Sequence, residues 1–399
     1  MQETPNTVDV VIIGGGMHGA GLAWFLATNP DFAGSVAVVE RDPSYEFAST
    51  THTNSCIRQQ FSTELNIRIS QFTTQYLKEL DAPKWRRLES PKIGIREFGY
   101  LYLADNERFA EQLRRNQGLQ NACDVPTEIL SRAQIEQRFP FMRVDDLVLG
   151  SHNAKDEGYF DGSALFQWWR QAARRLGVHY LHDEVVGLET NAATNKVVSV
   201  QLASGASIAC GVLVNAAGPR ARQIASMAGI DLPVEPRKRY TYLFAAAKPL
   251  ENGMPLTIDP SGVHLRADGD HYMAGCAPDP DPAVDYADFD ADHGLWERRV
   301  WPIVASRVPC FDSVKLVTSW VGHYAYNPFD RNAIVGPHSR FTNFMFVNGF
   351  SGHGLQQAPA MACGLAELIV YGSYRTLDLS PLGFARISAG KPIIEQAVI

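Results

Sequence analysis

Cysteine is sparse and badly placed for cross-linking: six residues, at 56, 123, 210, 276, 310 and 363, with no C-x-x-C pair among them. That spacing excludes a disulfide framework and reads as scattered reduced thiols. Histidine offers no metal ligand set either. His179 and His182 stand three apart in an extended run and point to opposite faces, so no metal is expected. Long apolar runs are missing, and none approaches the ~18 residues of a membrane helix. Basic charge is in deficit, with 36 Lys and Arg against 43 Asp and Glu and a net charge of −7, which argues against nucleic acid or an anionic membrane as partner. The leading MQETPNTV lacks the basic and apolar regions of a signal peptide, so a cytoplasmic location is expected. What is present is 399 residues at 45% apolar and 20% charged, enough for two domains with ample core.

The stretch from Asp9 to Glu40 reads as an apolar run, a glycine cluster, an apolar helical segment and a second apolar run closed by an acid. That is the order of a dinucleotide-binding βαβ unit in an α/β fold. Gly14, Gly16 and Gly19 supply G-x-G-x-x-G: one glycine for the tight turn, one for close approach of a pyrophosphate, one for helix against sheet. The pyrophosphate would sit on a helix running from about Met17 to Asn29, stopped by Pro30. Glu40 is placed to accept ribose hydroxyls, with Arg41 beside it. This unit alone suits NAD or FAD equally. The chain has no second G-x-G-x-x-G turn, hence no obvious separate NAD site, and an organic electron donor is expected.

Downstream, residues 41–62 are small and polar, a surface loop by composition that could also wrap a long ligand. Residues 63 to 88 read as a helix, Ile93 to Ile95 and Gly99 to Leu103 as extended, and the chain to Arg138 as polar helices. Another amphipathic helix covers Phe160 to Leu176. Short strands with turn signals fill Val178 to Ala217, ending in the small residues Asn215 to Gly218. Residues 231 to 325 alternate extended segments with acidic, proline-rich loops, and DPDPAVDYADFD reads as a solvated loop. In GVHLRA, His264 and Arg266 share a strand face that could line a cavity. An apolar strand from Phe344 to Val347 then enters Gly349, Gly352, His353 and Gly354 and a helix to about Tyr371. A second helix N-terminus is thereby aimed outward, a place that favours developing negative charge.

IIGGGMHGAG with Glu40, NAAGP at 215 to 219, WVGHYAYNPFDRNAIVGP from Trp320 and GFSGHG at 349 to 354 together resemble the D-amino-acid oxidase superfamily, in its sarcosine and glycine oxidase branch. The resemblance covers nearly the whole chain and implies FAD. It implies a discontinuous Rossmann-like FAD domain (1–92, 152–230 and 326–399) and an inserted substrate domain on a mixed β-sheet (93–151 and 231–325). FAD would be held by Gly14, Gly16, Met17, Gly19, Glu40 and Arg41. The same role falls to Ser49, Thr50, His52, Ser55, Val185, Ala217, Gly218 and Gly322, and to Gly349, Gly352, His353, Gly354, Leu355 and Gln356. The binding is expected to be non-covalent, with a covalent link through His52 of STTH as the alternative.

The chemistry so implied moves a hydride from a carbon beside an amine nitrogen to the flavin, and the imine product hydrolyses. The substrate is expected to be an N-substituted or D-amino acid. Arg58 falls where sarcosine oxidases bind the substrate carboxylate, and its fork matches that group. Gln356 stands where those enzymes carry a lysine, and Tyr324 where glycine oxidases carry an arginine. These departures tell against glycine or sarcosine itself. Met273 stands near the place of the lysine associated with oxygen activation, so the electron acceptor, O2 or another carrier, stays open. Two other readings remain: a respiratory-complex assembly factor with a largely structural flavin, and a 2-hydroxy-acid dehydrogenase using His264 as base.

Overall fold

The computed structural model describes residues 4–80 and 89–396. Thr7–Ile13 lies inside a largely parallel sheet in the order Ile334–Pro337, Phe344–Asn348, Ser207–Asn215, Thr7–Ile13, Val36–Glu40, His179–His182. Its run of apolar residues follows from burial on both faces. Val10 and Ile12 pack toward one side with Val36 and Val38, and Val11 and Ile13 toward the other with Ala37 and Val39. The first side takes the helices Met17–Thr28, Gly162–Arg175 and Gly354–Tyr371. Gly21 has no room for a side chain there, because a Cβ would come within 2.9 Å of Trp169 and 3.1 Å of Ala362. The meander of Val185–Asn191 and Lys196–Leu202 extends the sheet from Ser207–Asn215.

A second sheet runs Val314–Tyr326, Glu235–Ala246, His271–Cys276, His264–Asp268, Leu256–Ile258, Tyr100–Ala104, Leu149–Asn153, Glu128–Ser131. It is mixed, since Leu256–Ile258 and Tyr100–Ala104 pair in parallel among antiparallel neighbours. Alternation decides what each face does. Tyr240, Tyr242, Phe244 and Leu265 pack into a core with Trp296 and Phe311, while Arg239, Thr241 and His264 turn to a cavity between the sheets.

The structure departs from the sequence reading in four places. Ile93 to Ile95 forms no strand, and the nearest pairing is a single bridge between Arg96 and Tyr159. The first long helix spans Glu64–Lys78, and the part expected over 81–88 lies outside the described residues. Glu128–Ser131 is a strand inside the region read as helical; its four residues are too few for a period to show. Trp296–Val300 is a π-helix continuing into Trp301–Arg307, not an extended segment or loop. Leu149–Asn153 belongs whole to the second sheet. Among the described residues no helix is long and apolar enough to cross a membrane.

Candidate active site

One cavity of about 780 Å³ runs from the first glycine turn to the second sheet. At its first end Gly14 has φ +96°, and a Cβ there would lie 2.5 Å from the carbonyl oxygen of Ala216. A Cβ on Gly19 would overlap the Gly14 carbonyl at 1.9 Å. Gly14 and Gly19 can therefore only be glycine. Glu40 lies beneath it, accepting the Gly15 N–H at 2.8 Å and the Asp42 N–H at 2.8 Å. Burial raises its carboxyl above the ordinary range despite those two donors. The Met17 N–H donates to Thr50 Oγ1 at 3.0 Å, which ties the start of the helix to the polar loop. Val185, Ala217 and Gly218 line the same end. Arg41 lines it from the rim, 4.0 Å from Glu184 across solvent.

The middle of the cavity is the loop of residues 48 to 56 facing the C-terminal glycine turn. Ser49 donates to the His323 carbonyl at 2.5 Å. His52 lines the wall with Nδ1 3.1 Å from the Ala48 carbonyl, and its Cβ fills the space a side chain on Gly322 would need. Ser55 is buried with φ +52°. Gly352, at φ +100°, presses against Tyr324, whose ring a Cβ would meet at 2.4 Å. Gly349, also at positive φ, is outside the lining, whereas His353, Gly354, Leu355 and Gln356 bring the start of the helix Gly354–Tyr371 to the wall.

At the far end Arg58 is 1% exposed. Its Nη1 donates to the Gln60 carbonyl at 2.5 Å, its Nη2 lies 3.0 Å from His353 Nε2, and the guanidinium covers Phe61 at 4.0 Å. Burial, and then Arg58, push His353 well below its usual range, so its ring is neutral and Nε2 accepts. Gln356 turns its amide oxygen away from the cavity. That oxygen accepts the Arg58 backbone N–H at 3.0 Å. Tyr324 is stacked under Arg239 at 4.5 Å, and burial raises its hydroxyl. His264 is pushed down to about 4 by burial, then by Arg266 and Arg239. Its Nε2 lies 3.2 Å from the Asn54 amide nitrogen, and its buried Nδ1 has no hydrogen-bond partner among the described residues.

Several lining residues escaped the sequence reading. Asn54 comes from a loop, Tyr100 from one strand, and Arg239 and Thr241 from another, and no local pattern marks them. The acidic stretch 279–290 is no mere solvated loop. Asp281 binds Arg239 at 2.9 and 3.0 Å, and Phe289 stacks on His323 at 4.0 Å and packs on Phe47 at 4.9 Å. It thereby walls the cavity. Its one aromatic pair, Tyr286 and Phe289, among carboxylates was the available signal.

A parallel sheet carrying a glycine turn and helix N-terminus at one end of a cavity, and buried guanidinium chemistry at the other, defines a dinucleotide-dependent oxidoreductase. The model of the DAO family, FAD dependent oxidoreductase, matches residues 9–368, and the chain belongs to that family. FAD-dependent oxidoreductase domain-containing protein 1 of Xenopus laevis is 36% identical, over 99% of this chain and 85% of that one. Mitochondrial sarcosine dehydrogenase of Mus musculus is 24% identical over 93% of this chain and 40% of its own length. The L-proline dehydrogenase from P. horikoshii superposes with a TM-score of 0.83 at 25% identity, covering 98% of this chain and 100% of the other. The cavity residues fit FAD. A Cβ at Gly218, with φ +56°, would meet no protein atom within 4 Å, so this glycine keeps lining space clear. Two helix N-termini reach the same wall.

Proposed function

We propose that this protein oxidises the CH–NH group of an amino acid, N-substituted or D-configured, to an imine that hydrolyses. The observation that carries the reading is the state of the far wall: a buried arginine tied to the Gln60 carbonyl and the His353 ring, and two histidines kept uncharged by burial. Bound FAD supplies the hydride acceptor. Arg58 binds the substrate carboxylate, and Tyr324 and His264 border the reacting carbon. The cationic surroundings disfavour a substrate ammonium, so the amine is held neutral with its lone pair available. An alcohol would instead need a strong base. His264, pushed down to about 4 and engaged by Asn54, is a weak one, which favours the amine over the 2-hydroxy acid.

Gly14, Gly16, Met17, Glu40 and Val185 would hold the adenosine diphosphate half of FAD. Ser49, Thr50, His52 and the amides of Gly354 to Gln356 would hold the flavin half, without a covalent bond. The sheet around Thr7–Ile13 serves as the FAD domain and the mixed sheet as the substrate domain, a division supported by their separate cores. Six free thiols support a reducing compartment such as the cytoplasm. The test is anaerobic mixing of the yellow protein with N-methyl amino acids, D-amino acids and 2-hydroxy acids. Flavin bleaching is expected with the amines. Bleaching with hydroxy acids alone would overturn the reading, and none with any compound would leave a structural flavin. Acid precipitation is expected to free the colour, and a yellow pellet would establish a covalent link.

A further inference from the structure

Behind Arg58, on the side away from the cavity, the segment of residues 58 to 60 is clamped by one carboxylate. Glu157 is fully buried. Its Oε1 accepts two consecutive amides, Gln59 N–H at 2.6 Å and Gln60 N–H at 2.9 Å, while its Oε2 accepts from Gln60 Nε2 at 2.9 Å. The Gln60 side chain is fixed in turn, donating to the Tyr100 carbonyl at 3.1 Å and accepting from Ser151 Oγ at 2.9 Å. What remains of Gln60 is its backbone carbonyl, and that is the oxygen Arg58 Nη1 binds. The backbone at Glu157 is equally constrained. Gly158, at φ +149°, has no room for a Cβ, which would overlap the Arg96 carbonyl at 1.9 Å.

We propose that Glu157 is a positioning residue for substrate recognition: by holding the Gln59 and Gln60 amides it aims the Gln60 carbonyl, and through it the Arg58 guanidinium, at the substrate carboxylate. The proposal rests on the amino-acid reading given above. Two independent clamps on one short segment leave the guanidinium a single orientation, and a fork meets a carboxylate only when both are so aligned. Glu157 itself is absent from the cavity lining and acts through this chain of hydrogen bonds. Replacing it by glutamine keeps the size but sets an NH2 against Gln60 Nε2. Gln60 cannot flip in response without losing Tyr100 and Ser151.

The test compares wild type and Glu157→Gln, both loaded with FAD. Each is titrated with N-methylalanine and with N-methylethylamine, which lacks the carboxylate. Flavin absorbance reports binding and the saturating bleaching rate reports hydride transfer. Glu157→Gln is expected to weaken N-methylalanine about tenfold and to leave N-methylethylamine, the saturating rate and FAD affinity within about twofold. Unchanged N-methylalanine binding or equal loss of both ligands would each overturn the proposal. Should wild type bind neither ligand, the substrate reading fails by itself. Hydrogen exchange of the Gln59 and Gln60 amides then decides the positioning claim, faster exchange in Glu157→Gln supporting it and equal exchange refuting it.

Discussion

The two ends of the cavity are built from different materials. Around Gly14 and Gly218 the wall is backbone, shaped by positions where no side chain fits or none is wanted. Around Arg58 it is side chains: a guanidinium, two neutral histidines, a tyrosine and an amide drawn from four separate segments. A backbone site recognises what every cofactor of one kind shares, a diphosphate and a ribose. The side-chain site is where chemistry and choice of substrate are set, and each of its members depends on neighbours to hold its charge state and direction.

That contrast can be broken most sharply at Gly14. Gly14→Ala combines a left-handed φ with a 2.5 Å contact to the Ala216 carbonyl. A cost of ~3 kcal/mol corresponds to about 100-fold weaker FAD binding. The purified variant is expected to be colourless, and full flavin content by absorbance would show that the turn is not the cofactor's seat. At the other end Arg58→Ala is expected to spare the flavin and raise the substrate KM about 30-fold, the loss of ~2 kcal/mol for a buried carboxylate partner. An unchanged KM in steady-state kinetics would remove Arg58 from the substrate wall.

The smallest effect sharpens the comparison from the side of stability. Glu157 is raised to about 7, first by burial and against the pull of Gln60, Gln59, Asn153 and Arg58. Its ordinary value is 4.5, so between those limits the folded protein binds a proton that the unfolded chain does not. The contribution is therefore whole below the lower limit and is lost as pH rises through the upper one. Wild type is expected to lose a few degrees of Tm, ~4 °C at most, relative to Glu157→Gln across that window. Parallel Tm profiles in a pH series of thermal melts would show that the carboxyl does not titrate there.

The same difference in material explains what could be read in advance. Glycines with obligatory geometry leave a mark in the sequence, so Gly14, Gly19 and Gly352 were legible, as were the strands that feed them. The acid at Glu40 follows from its distance along the chain. Arg58 was found only through resemblance, and the clamp that fixes it, Glu157, sits 99 residues further on in a segment without periodicity. Arg239 and Asn54 are brought together by sheet pairing and a loop crossing that no window along the chain contains. The acidic loop misled for the opposite reason. Its composition is that of a solvated segment, and only the pairing of Asp281 and Asp288 with Arg239 and Lys238 folds it onto the wall.

The strand Phe344–Asn348 has a bearing on how the molecule is made. It hydrogen-bonds to Ser207–Asn215, the neighbour of Thr7–Ile13, and leads directly into the helix Gly354–Tyr371, which lies across Met17–Thr28. A nascent chain still on the ribosome therefore carries its first glycine turn with that side of the sheet open until Phe344 and the helix after it have been made. Such late closure between distant stretches is slow and leaves strand edges exposed meanwhile. Chains cut short before Phe344 would keep most of the second sheet yet lack the seam that joins the beginning to the end.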